Sequence, residues 1–453
     1  MTSIILKFEW VSLLRNRSSL LTIGLILLAG FYGIYYGKNE IDKQNQTLAK
    51  VISAESEAIE KQKKEFKEPT FEVSWRTKRT VVNSPTDLAK FSIGQRDVFP
   101  YYQTVRSYGL YSGIFSAEIA NPLKLLTGNF DLSFVFIFLL PLLIIALCYN
   151  LLSAEREQGT LSILLSNQIS LSRLVFVKLA FRLLLVLVIT ILLFLIGLVW
   201  AKIPLDSNVI AYLSITCLYI LFWFGASFWI ISLQKSSAFS ALGLLGCWLL
   251  FVLVIPTMLN LYLESIYPVP NGANLQNQLR DISTKGWNAP HKETIGKYFA
   301  EIPQNKVDTT KVDANMVFEI AAIHLMDKTS QPVFNEYKNE LAKRVNVSKS
   351  LSWLSPAAQA QITMNQLANT DTESHLSFLE NIEAYYPKLK GFFDAQKLRN
   401  HKFEKADFDK LPSVEVSKTV NFSVLGGFLK GLLFVGFFVI LGFRGFVKSK
   451  LIA

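Results

Sequence analysis

Along the chain, apolar residues gather into six runs long enough to cross a membrane, at roughly 18–37, 132–152, 180–201, 209–233, 238–263 and 421–443. Each approaches or exceeds the roughly 20 helical residues needed to span a ~30 Å hydrocarbon core. The pattern predicts an α-helical membrane protein with six transmembrane helices. Two long polar stretches, 38–130 and 264–420, interrupt the series after the first and fifth runs. The chain therefore divides into five parts. Residues 1–37 hold an interfacial helix and the first membrane helix, and 38–130 form a first outer segment. Residues 131–263 carry membrane helices two to five, 264–420 form a second outer segment, and 421–453 hold the sixth helix and a tail.

The stretch from Ile4 to Leu14 repeats its apolar residues at helical spacing, which suits a helix lying in the membrane surface. The run from Ser18 to Tyr36 is too long for a signal-peptide core, and no small-x-small cleavage site follows Tyr35-Tyr36-Gly37. An uncleaved first helix is expected. In the first outer segment Ile41, Leu48, Ile52, Ile59 and Phe66 form one apolar stripe, a helix that Pro69 ends. At ~1.5 Å per residue that helix projects roughly 42 Å beyond the membrane. Phe71 to Trp75 and Thr80-Val81-Val82 read as short strands or extended chain. The second outer segment reads as mainly helical, with helices near 272–285, 313–347, 352–369 and 372–400 and breaks at Pro290, Pro303 and Pro332. It is long enough to bury a core of its own. Pro141 and Pro256, inside membrane runs, are expected to kink their helices.

Composition agrees, at 51% hydrophobic over 453 residues, and the distribution of charge adds orientation. The net charge is +11, but segment 38–130 holds 14 Lys and Arg against 11 Asp and Glu, and segment 264–420 holds 19 of each. The excess sits beside the membrane runs, at Lys7, Arg15, Arg17, Arg156, Arg173, Lys178, Arg182, Lys235, Arg444, Lys448 and Lys450. With both termini cytoplasmic and six crossings, all of these fall on the cytoplasmic side, as the positive-inside rule requires. Both polar segments are then extracytoplasmic insertions. A nucleic-acid partner is excluded, because no basic face remains once the membrane-flanking charge is accounted for. Cys148, Cys217 and Cys247 all lie in membrane runs, so the outer segments have no disulfide framework.

The stretch between the second and third runs carries the strongest motif: Glu155-Arg156-Glu157-Gln158-Gly159-Thr160-Leu161, then Leu164-Leu165-Ser166. A charged triplet alone is usually a solvated loop. Here it closes a membrane helix, Gly159 permits a turn, and Thr160 can cap a new helix with an apolar face of Leu161, Leu164 and Leu165. Such a helix, placed within 153–171, needs a partner groove or the lipid surface.

This arrangement resembles the ABC-2 permease family, the membrane subunits of ATP-binding-cassette exporters. Further similarity lies in Asn121-Pro122, Gly128-Asn129-Phe130-Asp131 and Pro141, in Gly94-Gln95-Arg96-Asp97 with Pro100-Tyr101-Tyr102, in Trp353-Leu354-Ser355-Pro356-Ala357, and in Leu367 to Asp371. Together these look like a subgroup with two large periplasmic insertions, often described only as a domain of unknown function. A more distant similarity is to the permease that helps mature nitrous-oxide reductase. The resemblance implies a multi-pass protein of the bacterial inner membrane that pairs with a second permease copy, identical or related. It also implies a separate cytoplasmic ABC ATPase that binds ATP and Mg and docks on residues Glu155, Arg156, Glu157, Gly159, Thr160, Leu161, Leu164 and Leu165. The chain itself has no Gly-x4-Gly-Lys-Ser/Thr loop, so no nucleotide cradle of that kind and no cofactor of its own is expected.

Other candidates are weaker. His291, His324, His375 and His401 never pair with another His or Cys at ligand spacing, so no metal site is expected. Asp371, Glu373 and His375 read as a helix start capped by Thr370 or Thr372. Lys430, inside the last run, is either a functional intramembrane charge or a side chain snorkelling to the interface. The leading reading is the transmembrane subunit of an exporter of a lipid, peptide or other amphiphile. The alternative is a mechanotransmission device that drives periplasmic partners without transport. An intramembrane hydrolase finds no Ser/His, paired-Asp or zinc signature, so the chain is not expected to be an enzyme.

Overall fold

The computed structural model describes residues 2–64, 70–114, 129–161, 170–269, 272–308, 312–414 and 425–450. Leu164, Leu165, Phe66, Pro69, Asn121, Pro122, Gly128 and the start of the last apolar run at 421–424 lie outside them. In chain order the elements begin with α1 (Thr2–Arg15), α2 (Arg17–Lys64), α3 (Thr70–Arg76), β1 (Arg79–Val82), β2 (Tyr102–Val105) and α4 (Leu110–Ile114). There follow α5 (Leu132–Glu157), α6 (Leu171–Trp200), α7 (Ser207–Ser232) and α8 (Ser237–Ile266). Then come α9 (Gly272–Trp287), α10 (His291–Glu301), α11 (Ala314–Leu351), α12 (Pro356–Leu367), α13 (Thr372–Leu398) and α14 (Leu425–Lys450).

Six of these, α2, α5, α6, α7, α8 and α14, are long and apolar enough to cross a membrane. They form an antiparallel bundle. The turn after α5 and the turn before α8 meet at one end, where Arg156 donates to the Gln234 carbonyl. At the other end Lys90 of the first polar segment donates to Ala201, just past α6. The bundle centres on α7, whose Tyr212, Phe222, Trp223 and Ala226 are buried among α6, α12 and α14. A helix apolar on every side belongs in such a centre.

The two polar segments do not fold apart. Val73, Val81 and Val105 of the first share one core with Leu275, Phe334, Phe378 and Phe393 of the second. They make a single head, in which β1 and β2 pair antiparallel with Val82 opposite Tyr102. The head also reaches into the bundle: Leu88 and Phe91, and Ala357, Ala360 and Met364 of α12, belong to the membrane-helix core.

Several local expectations need correction. Residues 71–75 are helical in α3, because Thr70, Val73, Ser74 and Thr77 are the buried positions and that spacing is helical, not alternating. Pro332 does not break α11: it lies on an exposed face with Lys328, whose carbonyl it leaves free toward solvent. Pro290 and Pro303 bracket a helix that the breaks concealed, α10, held by buried Thr294 and Tyr298. The first membrane helix and the outer stripe are one continuous rod, α2, of 48 residues.

Pro141 and Pro256 act through wide turns. Each follows a π-helical stretch, Val135–Leu139 and Leu249–Val254. Proline cannot donate, so carbonyls in these stretches lose their usual partners. Side chains from other elements take them up. Tyr219 Oη donates to Ile137 at 2.9 Å, Trp248 Nε1 to Phe138 at 3.1 Å, and Ser355 Oγ to Phe251. That substitution by neighbours is what lets proline sit in an apolar span.

Candidate functional site

At the end of the bundle away from the head, α5 loosens after Cys148 and closes in one last helical turn, Ser153–Glu157. Its exit has a definite geometry. Gly159 N–H donates to the Arg156 carbonyl at 3.2 Å and Thr160 N–H to the Glu155 carbonyl at 3.0 Å. These paired bonds, with the intervening residue left-handed, form a Schellman closure. Gly159 has φ +73°, and a Cβ there would meet nothing within 4 Å, so the backbone angle alone selects glycine. The Thr160 hydroxyl donates back to the Glu155 carbonyl at 3.1 Å and carboxylate at 2.6 Å, and the helix it was expected to cap lies outside the described residues.

Each charge of the motif ties α5 to a different element. Glu155 accepts from Lys178 of α6 at 2.7 Å. Arg156 donates to Gln234, in the turn between α7 and α8, at 2.7 Å. Glu157 accepts both the backbone N–H and the hydroxyl of Ser237 at 2.9 Å, which places an anion at the start of α8. Ser153 and Ser237 share a further hydroxyl bond of 2.7 Å. Arg156, Glu157, Gln158 and Gly159 remain exposed around these contacts. Leu161 does not present a free apolar face, since it is half-buried against the bundle core. Leu164 and Leu165 lie outside the described residues.

Behind Glu155 is a buried four-charge cluster. Lys178, its side chain 5% exposed, also pairs with Glu9 of α1 at 3.0 Å, and Arg182 pairs with Glu9 at 3.2 Å and donates to Leu147. Two acids and two bases neutralise one another, the condition under which buried charge persists. It also explains α1. Glu9 points inward while Phe8, Trp10, Val11 and Leu14 are exposed, an apolar outer face suited to lipid. Glu9, Lys178, Arg182 and Ser237 were not legible as site residues. Lys178 and Arg182 stand at i and i+4 near the start of an apolar run, but their acids come from distant segments.

At the head end, the remaining motifs converge on one knot. Asp131 caps α5 by accepting from Phe134 N–H at 2.9 Å, and its other oxygen accepts from Ile93 N–H at 2.8 Å. Burial pushes its carboxyl up to about 6 against hydrogen bonds that pull the other way. Asn129 donates to Gly94, and Gln95 N–H donates to Thr370. Gly94 has φ +56°, and a Cβ there would lie 2.4 Å from Thr370 Oγ1. Arg96 reaches Gln44 of α2, and Ser92 reaches Asn365 of α12. Ser355 caps α12 at Ala358 N–H while it also donates to Phe251 of α8. The segments 94–97, 129–131, 353–357 and 367–371 are thus joints between head and bundle.

The other candidates separate from these ends. Asp371 itself, not Thr370 or Thr372, caps α13 by accepting from Ser374 N–H, with Glu373 in the first turn. His375 is buried and stacked on Phe99, ring centroids 4.0 Å apart, and burial pushes it down to about 3. Lys430 is half-buried in the second turn of α14, with no ion pair among the described residues. No three His, Cys, Asp or Glu side chains gather as a metal site among the described residues. Compared with known proteins, the chain matches no curated sequence. Residues 273–416, a stretch that includes α10 to α13, match a family described as a domain of unknown function, DUF3526.

Proposed function

We propose that the chain is the transmembrane subunit of an ATP-binding-cassette exporter, with the Glu155 end of the bundle cytoplasmic and the head outside the bacterial inner membrane. The observation that supports this is the wiring of the Glu155–Thr160 turn. An exposed, rigidly closed turn is bonded to α6 through Glu155, to the α7–α8 turn through Arg156 and to α8 through Glu157. A push on that turn from a docked ATPase therefore reaches three crossings at once. ATP and Mg belong to that partner. The cargo is an amphiphile, lipid or peptide, and two permease chains form the passage.

A second reading has its own support. The head shares its core with the bundle through Phe91 and α12, so motion of the crossings moves the head as well. On that reading the chain drives a periplasmic partner and nothing crosses.

Co-expression with an ABC ATPase of the same organism tests the shared premise. Gly159→Val places a β-branched residue at φ +73° without a steric neighbour. The variant should insert normally yet lose ATPase co-purification or substrate-stimulated hydrolysis. Unchanged complex formation and stimulation would remove the coupling assignment. Stimulation that depends on a lipid or peptide selects export, and stimulation that depends on a periplasmic protein selects the second reading.

A further inference from the structure

A cleft of about 390 Å³ opens where α8 meets the head. That size falls within the roughly 300–1,000 Å³ of small-molecule sites. Its apolar wall is built by Leu263 of α8, Leu341 and Val345 of α11 and Ile362 of α12. The α11 residues recur at helical spacing from Tyr337 to Ser348, so one face of that helix supplies the side of the cleft.

Depth along α8 places the cleft relative to lipid. Asn260 comes 23 residues after Ser237, about 35 Å along the helix axis at 1.5 Å per residue. A hydrocarbon core is ~30 Å thick, so Asn260 stands at headgroup level on the head side. Around it, Met258, Leu261, Tyr262 and Ile266 are exposed, the outward face of a membrane-crossing helix. The cleft thus borders lipid laterally and the head above.

The polar part of the wall carries two cations, Arg344 and Lys349, and one carboxylate, Asp371. Arg344 is half-buried and bonded to the Asn260 amide oxygen at 3.2 Å, with no carboxylate in ion-pair range among the described residues. The other charges are engaged. Lys349 is paired with Glu373, and Asp371 turns an oxygen to the Ser374 N–H and hydroxyl at the start of α13. A guanidinium has five donors, of which Asn260 occupies one, and its fork matches phosphate or carboxylate.

We propose that this cleft binds a membrane amphiphile with an anionic phosphate or carboxylate headgroup, seated on Arg344, with its chain along Leu263, Leu341 and Ile362. Binding of this kind is a property of the chain alone. That the bound amphiphile is the exported cargo rests on the permease reading above, and failure of either leaves the other standing.

The test uses the detergent-solubilised full chain and short-chain dioctanoyl phosphatidylglycerol, with binding read by native mass spectrometry. Arg344→Gln should weaken binding at least tenfold and Arg344→Lys less. Lys343→Gln, which removes an exposed charge one residue away, should leave it unchanged. Dioctanoyl phosphatidylcholine should bind less well, and glycerol phosphate should not compete at equal concentration. Thermal melts of each variant verify folding, and Asn260→Leu supplies a second lesion in the same wall. Equal binding by wild type and Arg344→Gln overturns the proposal. So does equal competition by glycerol phosphate, which would mean a plain anion site, and so does preferential binding of an acidic peptide.

Discussion

The carboxylate of Glu157 receives both the backbone N–H and the hydroxyl of Ser237, so the last residue of α5 caps the first turn of α8. Ser237 lies 80 residues from Glu157, so a distant carboxylate supplements the Ser236 hydroxyl that N-caps α8 at Phe239 N–H. Glu157→Ala should therefore open the start of α8, seen as faster hydrogen exchange at residues 237–240 with insertion unchanged. Glu157→Gln, which retains an acceptor oxygen, should lie between the two. Exchange in the alanine variant equal to wild type would dismiss the cap.

Lys178 is held between Glu9 and Glu155 in a nearly dry pocket. Removing one member of a buried ionic cluster leaves a charge unpaired and costs about 3–5 kcal/mol. Lys178→Met should destabilise on that scale. Glu155→Gln in the same chain should then add less than it does alone, with non-additivity above roughly 0.5 kcal/mol. Strict additivity in chemical denaturation would show that the pair does not interact.

His375 gives the head a pH dependence of definite sign. Its folded pKa is depressed by burial from 6.5 to about 3. The unfolded chain binds the proton first, so the stabilisation is fully present above about pH 6.5 and lost as pH falls toward 3. The slope for one proton is about 1.4 kcal/mol per pH unit. His375→Phe, which retains the aromatic contact with Phe99, should flatten that part of the wild-type stability profile between pH 6 and 4. Parallel profiles for the two proteins would contradict this assignment.

How much of this was legible depends on the range of the interaction. The six apolar runs are local signals, and each coincides with a helix long enough to span. Gly159 was legible for the same reason, because a charged helix end followed by glycine has few ways to close. The partners of Glu155, Arg156 and Glu157 were not, since Lys178, Gln234 and Ser237 lie 23 to 80 residues away and no local pattern links them. The motifs at 94–97 and 353–371 stood out as spellings without a reason. Their reason is tertiary: Gly94 needs φ +56° against Thr370, and Ser355 serves a carbonyl that Pro256 frees in another helix. Strand β2, four residues long, and α3, seven, both fall in windows too short to separate periods of 2 and 3.6.

Sidedness can be checked directly. Cysteines at Ser56 of α2 and Gln158 of the α5 turn are both exposed and lie toward opposite ends of the chain's crossings. If the head is outside, an impermeant maleimide added to intact spheroplasts should label position 56 and spare 158 until the membrane is opened. Labelling of 158 from outside would reverse the topology and withdraw the docking site with it.

Ser355 performs two tasks from a fully buried position. Its oxygen caps α12 by accepting from Ala358 N–H at 3.1 Å, and its hydroxyl donates to Phe251, in the wide turn before Pro256. Loss of the hydroxyl leaves that carbonyl unsatisfied, at about 1–3 kcal/mol, and removal of the cap adds about 1 kcal/mol. Ser355→Gly separates the tasks, because glycine is a tolerable cap that costs only a few tenths of a kcal/mol while the donor is lost in both variants. Ser355→Ala should thus be the less stable by roughly 0.5–1 kcal/mol. Tyr219→Phe is the matched comparison, since it strips a donor from Ile137, a carbonyl inside the bundle. All three should melt earlier, but only the Ser355 variants should speed hydrogen exchange in α12, because Ser355 both caps α12 and bonds it to α8, whereas the Tyr219 hydroxyl bonds within the bundle. Ser355→Ala within about 0.5 kcal/mol of wild type, with α12 still protected, would show that the joint is held by α12 packing alone.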